Sequence, residues 1–182
     1  QQTLLAQRRR RPARRRRGQA LLHAWVAQGA QAVPVRHGGV DGRHDVEESD
    51  VLGGLRSFVE THRIVTIPSP TPPIVEETPP FMRALTTASM DTPGPFEKVA
   101  TEAFYNMTLP DPRASAARQE DYMRGWYYAM ISNVSVHEVY PGHYLQFLYA
   151  KQFPSDVRKV YGATTNIEGW AHYCEQMILD QG

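Results

Sequence analysis

Six residues in the C-terminal part of the chain carry side chains able to hold a metal or move a proton: His137, Glu138, His143, Glu168, His172 and Glu175. They sit on two stretches that read as helices, among aromatic and aliphatic neighbours. Polar groups gathered beside an apolar core are costly unless they pair with one another or bind a metal. Two imidazoles and one carboxylate are the ligand set of a catalytic zinc that keeps a position open for water. A Glu directly after the first His is placed as in the H-E-x-x-H peptidases, where it is the general base toward that water. The pattern makes His137, His143 and Glu168 candidate Zn²⁺ ligands and Glu138 the candidate base. Glu168, His172 and Glu175 follow at i, i+4 and i+7 on one helical face, so His172 and Glu175 are candidates for fixing the tautomer of a ligating imidazole.

The spacing of the histidines departs from the usual motif. In SVHEVYPGHYLQ (135–146) four residues, one of them Pro141, separate Glu138 from His143. Residues i and i+4 of an α-helix lie about 40° apart around the axis, whereas i and i+6 lie about 120° apart and about 9 Å along it. A regular helix cannot bring His137 and His143 to one ion. Pro141 cannot donate to the carbonyl of His137, and its ring clashes there. Gly142 tolerates unusual backbone angles. A site therefore requires that Tyr140-Pro141-Gly142 bulge out and that the helix restart at His143.

The elements that must position these residues can be read from the patterning. LGGLRSFVETHR (52–63) forms a short helix, followed by the β-branched run IVTIP (64–68). The many prolines of 68–80 make an extended connector. FMRALTTASM (81–90) and EAFYNMTLP (102–110) read as two strands around the turn DTPGPF, a small antiparallel β-ribbon that needs a helical body to pack on. Residues 114–134 predict one amphipathic helix through Tyr122, Trp126 and Met130. Residues 135–153 predict a second, interrupted by its proline, and 164–180 a third; 155–161 read as a short polar connection.

The net charge of +1 hides an uneven chain. Eight arginines lie between Arg8 and Arg17; taking these from the 20 Lys and Arg leaves 12 against 19 Asp and Glu, a balance of −7. Residues 1–50, rich in Arg, Gly, Gln and Ala, lack a sustained period and read as a disordered, foreign or misread segment. An electrostatic arm for nucleic acid or an anionic membrane is the alternative there, though no interleaved aromatics support nucleic-acid binding. Cys174 is the one cysteine, which excludes an intrachain disulfide framework. No apolar run is long enough to span a bilayer, and no signal peptide is visible, so the compartment stays open. The chain begins with Gln and ends directly after an apolar helical pattern, and it reads as a fragment of a larger domain.

HEVYPGHYLQ followed by TNIEGWAHYCEQM resembles the bacterial domain-of-unknown-function family 885. IVTIP, PPFMRA and DTPGPFE…FYNMTLP resemble it too, in the same order, so the likeness covers roughly 53–182. That family is similar in organisation to the helical, gluzincin-type zinc metallopeptidases. The resemblance implies His137 and His143 as ligands, Glu138 as base, Glu168 as third ligand, and a substrate-binding ribbon at 81–109. It also implies that the groups stabilising the oxyanion lie beyond residue 182.

The expected fold is mainly α, a metallopeptidase-like helical body with a small antiparallel ribbon, over 51–182. The expected function is a zinc-dependent metallopeptidase that hydrolyses peptide bonds through a zinc-activated water, with a peptide as substrate, no nucleic-acid partner and no membrane span. The rival is a non-catalytic helical binding module whose polar cluster is a buried hydrogen-bond network.

Overall fold

The computed structural model describes residues 51–182; the expectations for 1–50, including the arginine arm, lie outside the described residues. Helix α1 (Val51–Thr61) turns Leu52 and Val59, seven residues apart, into the core. It ends at Arg63, whose φ of 52° puts it in the left-handed conformation that commonly stops a helix. The proline-rich connector then runs extended, as its composition requires, and part of it becomes a strand.

Strands β1 (Ile74–Glu77), β2 (Ala88–Asp91) and β3 (Phe104–Met107) form one sheet in the order β1-β3-β2. The expected antiparallel pair is present: Ala88 faces Met107 and Asp91 faces Phe104. The ribbon is nevertheless wider than the sequence indicates. Strand β1 joins β3 in parallel, with Ile74 opposite Phe104 and Glu77 opposite Met107. The stretch read as a strand over 81–90 is mostly turns, and only its end pairs. Central strand β3 buries Tyr105, Asn106 and Met107. The buried Asn106 amide donates to the Asp91 carboxylate (2.9 Å), which satisfies its nitrogen end but not its buried Oδ1.

The helix expected over 114–134 is two helices. Helix α2 (Ala116–Arg124) is capped by Ser115, whose hydroxyl accepts from the N–H of Arg118, and it closes at Gly125. Trp126 is buried at the break, and α3 (Tyr128–Glu138) starts in a new direction. Helix α4 (His143–Gln152) follows after four residues, then the short α5 (Asp156–Val160), where only a polar connection was expected, and then α6 (Thr164–Gln181). Helix α6 packs along α3 and α4, and α3 lies over β2.

One apolar core joins the layers, with Val59, Tyr105, Met107, Ile131, Val139, Tyr140, Tyr144 and Leu145 at its centre. Tyrosine hydroxyls tie the irregular segments to it: Tyr144 donates to the Thr71 carbonyl (2.5 Å), Tyr149 to Thr66 (2.6 Å) and Tyr122 to Thr108 (2.8 Å). The fold is mainly helical with a small three-stranded sheet, and among the described residues no helix is long and apolar enough to cross a membrane.

Candidate metal centre

The helix does break and restart around Pro141. Helix α3 ends at Glu138, Tyr140 joins Pro141 through a cis peptide bond, and α4 begins at His143 with Gly142 as its N-cap. Gly142 pairs a φ of −66° with a ψ of −134°, neither helical nor extended, as expected of a glycine there, and a second demand also calls for it. That demand is close approach. Its N–H donates to the carbonyl of Val136 (3.0 Å), folding the loop back on the last turn of α3. A Cβ on Gly142 would lie 1.7 Å from the carbonyl oxygen of His137 and 2.4 Å from that of Val136. Pro141 is fully buried, and the Trp170 indole N–H of α6 donates to its carbonyl (3.0 Å), fastening the loop to the next helix.

This fold-back brings the two imidazoles together, edge to face, with ring centroids 4.8 Å apart. Both Nε2 atoms converge on one oxygen: His137 Nε2 and His143 Nε2 each lie 3.5 Å from Glu168 Oε2. One ligand atom from each of the three residues lies within 4.8 Å of the others. Zinc bonds of about 2.0–2.1 Å in tetrahedral array separate neighbouring donors by about 3.3 Å. The two imidazole–carboxylate separations of 3.5 Å are near that value, and two imidazole nitrogens with one carboxylate oxygen are donors that suit Zn²⁺ in chemistry. Glu168 is 58% exposed, so the cluster is open on that side, where a fourth position can meet solvent.

The remaining nitrogen of His137 is held firmly. Its Nδ1 lies 2.7 Å from Glu175 Oε1, and the Asn133 amide donates to the other Glu175 oxygen (3.0 Å). Burial opposes ionisation of Glu175, but the hydrogen bonds from Asn133 and His137 outweigh it and hold its pKa below the ordinary value. That carboxylate keeps the proton of His137 on Nδ1 and leaves Nε2 free. His172, the other candidate for this task, is 84% exposed and 3.6 Å from Glu175, at the rim of the cluster. Nδ1 of His143 is buried without an ideal hydrogen bond, as is Oε1 of Gln146 one turn on, and the two side chains lie together. Burial lowers the pKa of His143 and favours the neutral ring that a metal needs.

Glu138 is only 8% exposed and lines the same cleft, of about 310 Å³, as His137, His143 and Glu168. Burial pushes its pKa up to about 7, with the attraction of His137 pulling the other way, the Glu168 charge adding to the rise, and the Met90 N–H opposing it. Met90 belongs to β2, so the edge strand forms the opposite wall. The structure thus brings five of the six sequence candidates into one cluster and leaves His172 at its margin. Asn133, Gln146 and Met90 were not singled out from the sequence. Asn133 is one helical turn before His137 and Gln146 one turn after His143, a spacing that could have marked both; the Met90 contact is long-range and has no such signal.

A family model described as "Bacterial protein of unknown function (DUF885)" matches residues 47–182. No curated protein matches the chain. Among solved structures the chain is similar to a candidate lipoprotein of unknown function from Shewanella oneidensis, at 35% identity and a TM-score of 0.61. The match covers 72% of this chain and 22% of that one, so the chain spans about a fifth of that protein's length.

Proposed function

The chain belongs to the DUF885 family of bacterial proteins of unknown function, and from that premise we propose that residues 137–175 form the hydrolytic centre of a zinc-dependent peptidase. One observation carries the reading. Two imidazole nitrogens point at a single carboxylate oxygen, 3.5 Å from each, with a second, buried carboxylate beside them in a cleft. Like groups are brought to such spacing at the cost of desolvation, and the cost is offset when an ion binds between them.

His137, His143 and Glu168 would hold the ion, and Zn²⁺ bound there supplies a Lewis acid that acidifies water and polarises a substrate carbonyl. The protein's own groups do the rest. Glu138 is positioned by the Met90 N–H on the wall of the cleft, where its carboxylate oxygen takes a proton from the attacking water and delivers it to the departing amine. Glu175, held by Asn133, keeps the His137 ring in one tautomer and orientation. Strand β2 is the edge of the sheet beside the cleft, and an extended peptide can add to such an edge as a further strand.

Metal content and peptide hydrolysis test this on the full-length protein. About one zinc per chain is expected, lost in His137→Ala and kept in Glu138→Gln, with hydrolysis abolished in both. Absence of zinc after it is added back would reduce the cluster to the polar network of a non-catalytic module. Hydrolysis that survives Glu138→Gln would remove that residue from the mechanism.

A further inference from the structure

A second cavity, of about 180 Å³, lies beyond the metal cleft along α4. Phe147 is the partition: it lines both spaces and stacks flat on the His143 ring, 5.6 Å between centroids at 7°. His143, Phe147 and Lys151 follow at i, i+4 and i+8, so one face of α4 carries the candidate ligand, the partition and then an amine that lines the second cavity. At roughly 1.5 Å per residue, Lys151 is about 12 Å along the axis from His143. The other wall is continuous too. Ala88 and Met90 of β2 line the metal cleft, and Thr92 and Pro93, the next residues of the same chain segment, line the second cavity. An extended peptide laid along β2 from the metal cleft therefore reaches this cavity after about three to four residues of ~3.3 Å each.

The cavity is polar in a particular way. Lys151 is half-buried and makes no hydrogen bond or ion pair among the described residues, and burial lowers its pKa. Ser69, Thr71, Thr92 and Thr101 line the same space. Ser69 accepts from the Thr71 N–H (3.2 Å), and its hydroxyl is hydrogen-bonded to that of Tyr144, another residue of the lining. Two carboxylates are near, and neither fills the role of partner. Glu97 raises the pKa of Lys151 slightly, but its Oε1 accepts the N–H groups of Lys98 (2.8 Å), Val99 (2.7 Å) and Ala100 (3.4 Å). Glu102 is solvent-exposed at the mouth. A partly desolvated ammonium in a cavity walled by hydroxyl-bearing residues is matched by a carboxylate, which pairs with the charge and can accept from hydroxyls.

We propose that the cavity between Phe147 and Lys151 is a subsite that receives a carboxylate of the peptide substrate, with Lys151 as the residue that selects for it. The proposal rests on the peptidase reading for the word substrate, and its carboxylate can belong to an Asp or Glu side chain or to the peptide's own C-terminus.

Binding separates the subsite from catalysis. Metal-stripped full-length protein is titrated with labelled hexapeptide amides carrying one Glu, moved through the six positions, against their Gln counterparts and against the Gln peptides with a free C-terminus; anisotropy reads the affinity. At one position Glu is expected to bind about tenfold more tightly than Gln, the preference vanishing in Lys151→Met while the Gln peptides are unchanged. Lys151→Glu is expected to turn the preference toward Lys. A gain confined to the free-acid peptides identifies the terminal carboxylate as the ligand. No charge preference, no peptide binding at all, or a preference that survives Lys151→Met overturns the proposal and leaves Lys151 as a residue lying along the helix surface. Failure of the metal-loaded protein to cleave any of these peptides would count against the peptidase reading alone, because the binding result does not depend on turnover.

Discussion

Substituting Gly142 by Ala puts the loop between the two histidines to a quantitative test. The added Cβ would sit 1.7 Å from the His137 carbonyl oxygen and 2.4 Å from the His137 carbonyl carbon and the Val136 oxygen. All three are backbone atoms, so no side chain can rotate away. A contact of at least 3.0 Å requires the loop and the end of α3 to part by about 1.3 Å. That displacement falls on the residue directly before His143 and on the carbonyl of His137 itself. Metal bonds tolerate only about 0.2 Å, so the separation of the two imidazoles cannot survive it unchanged. Overpacking of this kind costs about 1–3 kcal/mol, and zinc affinity is expected to fall by more than a hundredfold. Gly54→Ala is the control, since a Cβ there meets nothing within 4 Å in α1; as a helix-interior change it should stabilise by about 0.5–1 kcal/mol. Thermal unfolding of the metal-free proteins and zinc titration against a chelator read the two effects. A Gly142→Ala protein with the wild-type melting temperature and zinc affinity would refute the close-approach argument.

Glu175→Ala removes the acceptor 2.7 Å from His137 Nδ1 and should weaken zinc binding about 10–100-fold, with Asn133→Ala weaker in the same direction; an unchanged zinc affinity in Glu175→Ala would detach that carboxylate from the site. Trp170→Phe deletes the hydrogen bond to the Pro141 carbonyl and should cost about 0.5–1.5 kcal/mol by urea denaturation; no loss of stability would mean that α6 does not anchor the loop. Cys174 is fully buried and its thiol is pushed up to about 12 by burial, with the Glu175 charge adding to it. A thiol reagent at pH 8 should therefore modify it only after unfolding, and stoichiometric reaction of the native protein would contradict its placement.

Much of the site was legible because its chemistry is written in residue types. The pairing of His137 with Glu138, the break at Pro141, the restart at His143 and the α6 face bearing Glu168 and Glu175 all follow from helical periodicity and from what proline cannot do. The pairing of β2 with β3 was legible from the turn between two apolar stretches, although only the end of the stretch 81–90 pairs. The long helix over 114–134 was not correctly bounded, because the apolar spacing of Tyr122, Trp126 and Met130 continues across Gly125 while the backbone turns there to bury Trp126. Strand β1 was missed for a related reason: a proline-rich segment announces extended chain, but its partner β3 lies some 30 residues on, and pairing at that range leaves no local trace.

Sequence by itself determined which groups are available, on which helices, and that a straight helix could not unite them. The tertiary structure decided that they meet. Val136 accepts the Gly142 N–H, Trp170 holds the Pro141 carbonyl, and α6 docks so that one oxygen of Glu168 faces both imidazoles. It also separated Glu175, 2.7 Å from His137, from the exposed His172, two residues that helical periodicity had left equivalent. The physical reason is the same in each case. Periodicity specifies direction around one helix axis, whereas a site is a set of distances between helices, and those are set by packing and by hydrogen bonds that join residues far apart in the chain.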